Sequence, residues 1–200
     1  MGWWTVGVAL TQEISDETLC RRVAAQDEAA FDALVARYQG RAYRLAWSLL
    51  RDAEDARDVS QDAFLRVYRT AAGFRGDARF STWFYRILVN LCLDHRRRGR
   101  WWPRLLMRRD DTSDGAEGLL EHQAAPLLDP GDTLGREQTM AALWAAVDRL
   151  SPQQRAAIVL SVQEELSTGQ IASILKCSEA TVRVHLHRAV SALRKLVRQE

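Results

Sequence analysis

The sequence has few cysteines, and none of them stand at the spacing of metal ligands. Its three cysteines, Cys20, Cys92 and Cys177, lie far apart, are odd in number and form no CxxC pair. A disulfide framework and a zinc site are therefore not indicated, and we interpret all three as reduced core thiols of a cytosolic protein. His185 and His187 stand two residues apart and diverge on a helix, so we expect no metal site.

Motifs for catalysis and for membrane targeting are also missing. The chain has no Gly-rich phosphate loop, no GxSxG and no HExxH, so we expect neither an enzyme nor a required cofactor. The first ten residues, MGWWTVGVAL, are apolar, but they include no basic residue and are too short to cross a bilayer. We expect no direct membrane insertion, a cytoplasmic location, and residues 1–15 as an N-terminal extension.

Helical periodicity dominates the first hundred residues. Asp27 and Asp52 are predicted N-caps of two long helices, and a third helix is expected to begin near Ser81, after Gly73 and Gly76 break the pattern. The predicted buried stripes are Phe31, Leu34, Val35, Tyr38, Ala42, Leu45, Ala46 and Leu49 in the first, Ala56, Val59, Ala63, Phe64 and Val67 in the second, and Trp83, Phe84, Ile87, Leu88 and Leu91 in the third.

Arginines accumulate directly after the third predicted helix. The stretch from Asp94 to Arg109 has one carboxylate against Arg96, Arg97, Arg98, Arg100, Arg104, Arg108 and Arg109. The net charge of the whole chain is only +2, so this block creates a local field that phosphates sense. Together with the aromatic residues and the Gly-Asp loop that precede it, the block points to nucleic acid.

A flexible linker and a second helical unit are predicted beyond the arginines. Residues 110–138 contain eight carboxylates and one arginine, with Gly, Pro and Ser and no sustained apolar period, which favours a linker. From Glu137, the residues Met140, Leu143, Trp144, Val147 and Leu150 repeat on one helical face. Capping signals then follow at Ser151, Ser167 and Ser178, which predicts an all-α second domain of four helices.

The last of these helices has the layout of a recognition helix in a helix-turn-helix motif. A tight turn at Lys176 and Cys177 precedes it. Its apolar stripe is Val182, Leu186, Ala189, Val190, Leu193 and Val197, and its outward surface is Thr181, Arg183, Val184, His187 and Arg188. A basic C-terminus that offsets the helix dipole would explain Arg194, Lys195 and Arg198 but not Arg183. We therefore predict that this surface binds DNA.

The motifs resemble a known family. The run LSPQQRAAIVLSVQEELSTGQIASILKCSEATVRVHLHRAVSALRKL is similar to region 4 of bacterial sigma factors, and also to the helix-turn-helix of LuxR-type regulators. The strings DAEDARDVSQDAFLRVYR and FRGDARFSTWFYRILVNLCLDHRRRGR resemble region 2 of extracytoplasmic-function (ECF) sigma factors. A LuxR regulator would carry an α/β receiver or ligand-sensing domain instead, so the resemblance favours an ECF sigma factor.

The resemblance implies roles for individual residues. Asp58, Gln61 and Asp62 would bind the clamp-helices coiled coil of the RNA polymerase β′ subunit, although carboxylates near a helix N-terminus are also favoured by the helix dipole alone. The residues implied for the minus 10 element are Phe74, Gly76, Asp77, Phe80 and Asn90 around a flipped base, and Arg96, Arg97 and Arg98 along the backbone. The alternative for the arginines is a solvated charge run, and for Trp83 it is a core position. Thr181, Arg183, Val184, His187 and Arg188 would read the minus 35 element.

The sequence thus predicts a two-domain, all-α sigma factor. The expected division is residues 1–15 as an extension, 16–100 as region 2, 101–136 as a flexible basic-then-acidic linker, and 137–200 as region 4. The implied partners are core RNA polymerase through its β′ clamp helices and β flap, promoter DNA and an anti-sigma factor. Two alternatives stay open: a regulator that binds a duplex operator as a dimer without polymerase, and a helical adaptor that binds only proteins.

Overall fold

In this computed structural model of the protein, the described residues are 14–101, 140 and 143–197. Most of the predicted N-terminal extension and linker, and the arginines at 100, 104, 108 and 109, fall outside the described side chains. Across the described ranges every regular element is helical, with no strand, so the all-α prediction is confirmed. The α-helices are α1 (Asp16–Ala24), α2 (Glu28–Leu50), α3 (Ala53–Thr70), α4 (Phe80–Trp101), α5 (Pro152–Gln163), α6 (Thr168–Leu175) and α7 (Glu179–Val197), with a short 3-10 helix at Ala71–Gly73 and helical residues at 143–148.

The predicted helix caps are confirmed. The Asp27 carboxylate accepts the N–H of Ala30 at the start of α2, and Asp52 does the same for the third residue of α3. Ser151 and Ser167 each form a reciprocal capping box with the glutamine three residues later. These side chains satisfy backbone N–H groups that a helix cannot satisfy internally, which is why the chain enters each helix at these residues.

Helix α1 was not predicted from the periodicity, although the sequence contains its signals. Ser15 accepts the N–H of Thr18, and two acids follow in the first turn. Leu19, Cys20 and Val23 form its buried face. Because only three apolar residues mark so short a helix, the hydrophobic period is weaker there than in α2 or α3.

The core of the N-terminal helices is centred on aromatic rings. Leu34, Leu45 and Leu88 are fully buried, and the Tyr38 ring packs edge-on against Phe84 with 5.2 Å between centroids. The stripes predicted for α2 and α3 lie at or next to this core. Only Phe31 and Val35 among them are half-buried rather than buried, because they lie at the rim of the bundle.

The buried face of α4 differs from the prediction. Phe84 and Leu88 are buried as expected, but Trp83, Ile87 and Leu91 are only half-buried, and the remaining buried positions are Phe80, Thr82, Tyr85, Val89 and Cys92. The stripe is therefore rotated by about one residue. The reason is that α4 packs against α2 and α3 and also against α6 of the C-terminal half, so it is covered on two sides.

The C-terminal helices pack directly on the N-terminal helices. Helix α5 lies against α2, and α6 lies against α4. Their buried residues, among them Leu160 and Ile171, form one continuous hydrophobic cluster with Leu45 and Leu88. The predicted face of residues 140–150 is only partly covered, because Met140 and Leu143 are exposed while Val147 and Leu150 are buried.

Candidate nucleic-acid and protein interfaces

The turn between α6 and α7 is held by three local contacts. Lys176 ends α6 in the left-handed region with φ 54°, and the N–H of Cys177 donates to the carbonyl of Ala172 at 3.1 Å. Ser178 then caps α7 by accepting the N–H of Thr181 at 3.1 Å. The predicted helix-turn-helix is thus confirmed as a local structure, and it fixes which face of α7 turns away from the core.

The outward face of α7 is basic and exposed. Val182 and Ala189 are buried, whereas the residues predicted to face outward are Arg183, Val184, His187 and Arg188, all exposed, and Thr181, half-buried. Arg183 Nη1 lies 3.6 Å from Glu179 Oε2 in an exposed pair. Arg188 has no ion-pair partner among the described residues. The face can therefore meet an anionic surface without disturbing the helix packing.

The loop from Phe74 to Arg79 connects the 3-10 helix to α4. Gly76 has φ +79°, a conformation that favours glycine, and Asp77 is exposed. The Phe74 ring is half-buried and lies 5.2 Å from Trp83, centroid to centroid. Phe80 is different, because it is completely buried against Tyr38 and Phe84. Phe80 therefore supports the loop from below and cannot present its ring to a base in this arrangement.

Asn90 lies between two cavities along α4. One, of about 260 Å³, is shared with Asp62 and His95, and the other, of about 530 Å³, is shared with Arg96 and Arg97. Asn90 therefore lies close to Arg96 and Arg97. The family resemblance assigns these three residues to the same DNA element, minus 10. The structure also places Asp62 beside Asn90, although the sequence assigned these two residues to different partners.

The predicted arginines of α4 differ in their surroundings. Arg96 is half-buried, and its Nη1 donates to the carbonyl of Leu49 at 2.9 Å. Arg97 is exposed and pairs with Asp94 one turn earlier. Arg98 lies in α4, but its side chain falls outside the described residues. Only Arg97 is therefore shown with its guanidinium on the open surface.

Asp58, Gln61 and Asp62 are exposed along α3, but they border different grooves. Gln61 lines a groove of about 450 Å³ between α2 and α3, together with Tyr43 and Phe64. Asp62 faces the cavity on the α4 side. The three residues thus form a ridge between two grooves, and the exposed Leu65 follows them on the same helix.

Several polar residues at the contact between the two halves were missed by the sequence reasoning. Arg155 is buried beneath α2, and Glu164 accepts a hydrogen bond from the hydroxyl of Tyr85. Burial lowers the pKa of Arg155 and raises the pKa values of Tyr85 and Glu164. No local pattern marks these residues, because arginine and glutamate are typical of exposed helix positions.

The sequence analysis expected neither a metal site nor a segment inserted in a membrane. Among the residues that the structure describes, no group of three or more His, Cys, Asp or Glu side chains is arranged to hold a metal ion. In the same part of the chain, no helix combines the length and the hydrophobicity that spanning a bilayer requires.

Comparison with known proteins places this fold in a family. Residues 34–102 match the model for sigma-70 region 2, and residues 140–193 match a model for sigma-70 region 4. The chain is 36% identical over 188 residues to RNA polymerase sigma-H factor of Pseudomonas aeruginosa, covering 93% of this chain and 95% of the relative. It is 35% identical over 195 residues to ECF RNA polymerase sigma factor SigM of Mycobacterium tuberculosis, covering 96% and 89%.

A solved structure has the same fold. The sigma factor RpoE of Bartonella quintana, in complex with the anti-sigma factor NepR, is similar with a TM-score of 0.60 and 22% identity, covering 84% of this chain and 96% of that one. The two matched models lie in the order that the sequence motifs indicate. The chain therefore belongs to the ECF sigma factors of the sigma-70 family.

Proposed function

We propose that this sigma factor reads the minus 35 element with α7. The observation that carries the proposal is the exposed basic face of α7. This helix is the second one of the helix-turn-helix, and its apolar side is buried. A helix of this kind fits the major groove of duplex DNA with the residues of its N-terminal half near base edges. We assign Thr181, Arg183, Val184, His187 and Arg188 to this contact.

The minus 10 element is assigned to the loop before α4 and to α4 itself. Phe74 offers a half-buried ring beside Trp83, Gly76 and Asp77 shape the loop, and Asn90 offers an amide beside a cavity. Unstacking a base costs a few kcal/mol, and stacking on an aromatic ring returns about 1–3 kcal/mol per base. Phe80 supports this loop from the core. The arginines assigned to the DNA backbone are Arg96, Arg97 and Arg98.

Core RNA polymerase is assigned to the ridge on α3. Asp58, Gln61 and Asp62 are exposed there, and the groove between α2 and α3 beside Gln61 has aromatic walls. An acidic ridge next to an apolar groove fits a helical partner that has basic residues around an apolar stripe. The β′ clamp helices are the proposed partner of this surface, and the β flap is the proposed partner of the C-terminal helices.

The domain division and the remaining partners follow from the family. We assign residues 16–100 to region 2 and 137–200 to region 4, with residues 101–136 as the linker; the matches at residues 34–102 and 140–193 support this assignment. An anti-sigma factor is a proposed partner, as in the complex of the Bartonella relative. The protein acts in the cytoplasm, where polymerase and DNA are found, as an initiation factor that needs no cofactor of its own.

Run-off transcription with purified core RNA polymerase tests the proposal. The templates are fragments of the source genome, including the DNA upstream of the protein's own gene. We expect discrete transcripts that appear only when the protein is added. Specific duplex binding by the protein alone, without any new transcript, would instead favour a conventional regulator.

A further inference from the structure

Helix α4 begins after an arginine, which cannot cap it. The carbonyl of Arg79 accepts the N–H of Trp83 at 3.2 Å, which is the first hydrogen bond of the helix and makes Arg79 the N-cap position. An arginine side chain has donors only and cannot accept a backbone N–H. Helices α2, α3, α5 and α6 each begin with an Asp or a Ser that does accept one. The start of α4 therefore depends on an acceptor from elsewhere in the chain.

Glu17 of α1 supplies this acceptor. Its Oε1 accepts the N–H of Phe80 at 2.9 Å, from a residue 63 positions later in the sequence. The first N–H groups of a helix have no partner within it, and a carboxylate at this end also interacts favourably with the helix dipole. An acid in the first turn of a helix ordinarily stabilises that helix alone. Glu17 stands in the first turn of α1 and holds the start of α4 as well.

The neighbouring acid holds the ring of the same phenylalanine. Asp16 accepts the hydroxyl of Tyr38 on α2, and its Oδ1 lies 2.6 Å from Arg37 Nη1. The Tyr38 ring packs edge-on against Phe80, with 5.2 Å between centroids. The first turn of α1 thus fixes Phe80 twice, at its backbone through Glu17 and at its ring through Asp16 and Tyr38.

Phe80 connects α1 to the loop that precedes α4. Its ring lies 6.1 Å from that of Phe74 and 5.9 Å from that of Trp83, centroid to centroid. At the other end of the loop, the N–H of Phe74 donates to the carbonyl of Ala71 at 3.0 Å, and the 3-10 helix that contains Ala71 also packs on α1. Both ends of the loop from 74 to 79 are therefore supported by α1.

We propose that Glu17 is a positioning residue for recognition of the minus 10 element. By fixing the N–H of Phe80, it sets the position of the Phe74 ring relative to Trp83 and Asn90 on α4, without touching DNA itself. A binding site discriminates between ligands only when its groups are held within about 0.5 Å of the productive geometry. The positioning role rests on the proposed minus 10 site, whereas the hydrogen bond between Phe80 and Glu17 does not.

Base selectivity of the polymerase holoenzyme is the readout that tests this role. The probe is a fluorescent single-stranded oligonucleotide with the minus 10 sequence of a promoter found by run-off transcription. A second oligonucleotide has the single base change that weakens binding to the wild type most. A smaller folded fraction lowers both affinities equally, whereas a displaced pocket lowers their ratio, because selectivity is a difference between two binding free energies.

Glu17→Ala removes the acceptor, whereas Glu17→Gln keeps a side-chain oxygen that can accept from Phe80. We expect Glu17→Ala to lower the selectivity ratio by about fivefold, and Glu17→Gln to stay within about twofold of the wild type. Glu28→Ala is the matched control, because Glu28 is an exposed acid in the first turn of α2. An unchanged ratio in Glu17→Ala would overturn the positioning role.

A local cap separates positioning from the stability of α4. Arg79→Asn supplies a side chain that can accept the N–H of the second or third helical residue, but not that of Phe80. Added to Glu17→Ala, it should recover the lost thermal midpoint, while the selectivity ratio stays about fivefold below that of Arg79→Asn alone. Recovery of the ratio together with the midpoint would overturn the proposal, since Glu17 would then act only by stabilising α4.

Hydrogen exchange of the Phe80 amide tests the contact without DNA. Exchange should be about fivefold faster in Glu17→Ala than in the wild type, and unchanged in Glu28→Ala. Equal rates in Glu17→Ala and the wild type would overturn the contact and the proposal with it. A wild type that shows no base selectivity, in a protein whose exchange rates behave as expected, would instead overturn the proposed minus 10 site and the positioning role, but not the contact.

Glu17→Asp covers the case in which Glu17→Ala does not fold. It keeps a negative charge in the first turn of α1 and withdraws the carboxylate from Phe80 by about 1.5 Å, the length of one carbon–carbon bond. We expect faster exchange of the Phe80 amide and a lower selectivity ratio than in Glu28→Asp, its control. Faster exchange with the selectivity of the wild type would overturn the positioning role.

Discussion

Replacing Arg188 by alanine should weaken promoter binding without weakening the fold. The side chain is exposed on α7, and within the described ranges it forms no hydrogen bond or ion pair, so we expect its truncation to leave the packing of α7 in place. A bidentate contact from arginine to a base edge is worth about 1–3 kcal/mol. This corresponds to a loss of about 5–150-fold in affinity for the minus 35 duplex.

Arg183 provides an internal comparison. Its guanidinium lies 3.6 Å from Glu179, and this exposed pair, worth about 0.3–0.5 kcal/mol on a helix, must loosen before Arg183 can bind DNA. Arg183→Ala should therefore cost less than Arg188→Ala. Glu179→Gln, which removes the competing charge, should strengthen binding by about twofold.

The assay for Arg188 is a titration of polymerase holoenzyme against the promoter found by run-off transcription and against random duplex of equal length. The exposed Arg194, on another side of α7, is the control for loss of one positive charge. A loss for Arg188→Ala that is specific to the promoter supports a base contact. An equal loss on both duplexes would refute base readout by Arg188 and assign it to phosphate.

Three further predictions concern the N-terminal half and the contact between halves. Asp58→Arg with Asp62→Arg should abolish co-purification with core polymerase while leaving the thermal unfolding curve in place, because both side chains are exposed; unchanged association would show that the α3 ridge is not the polymerase surface. Gly76→Ala should cost about 1 kcal/mol in a denaturant titration, because φ is +79° while the space beside it is open; an unchanged midpoint would contradict this strain argument. Burial raises the pKa of Glu164 above its unfolded value of about 4.3, so its carboxyl contributes stability that is present below that pH and lost as pH rises through the folded pKa. Wild type should therefore lose stability relative to Glu164→Gln over that window, and a relative gain with rising pH would show that the ion pair with Arg41 outweighs burial.

Local signals in the sequence were sufficient to predict the starts of α2, α3, α5 and α6, although not that of α1. Asp27, Asp52, Ser151 and Ser167 cap helices because their side chains compete for backbone N–H groups only a few residues away. The exposed face of α7 was predictable for a similar reason, since its period is read within one helix. The roles of the exposed residues on α3, α4 and α7 remain proposals that binding experiments test.

The contacts between the halves could not be predicted from the same signals. The stripe on α4 was misplaced by about one residue because α4 packs against α6 as well as against α2 and α3, and because the buried Tyr85 finds its hydroxyl partner in Glu164, at the end of α5. Arg155 precedes an apolar run and would ordinarily be assigned to the surface. Its burial depends on a carbonyl more than a hundred residues earlier, and hydrophobic periodicity contains no information about such a pair.

The carbonyl of Leu49 shows why such contacts escape a helix-by-helix reading. The last carbonyls of a helix have no partner within it, and at the end of α2 this one accepts from Arg96 of α4 at 2.9 Å and from Arg155 of α5 at 3.3 Å. One acceptor thus joins three helices, and neither donor can be assigned to it from the hydrophobic period of its own helix.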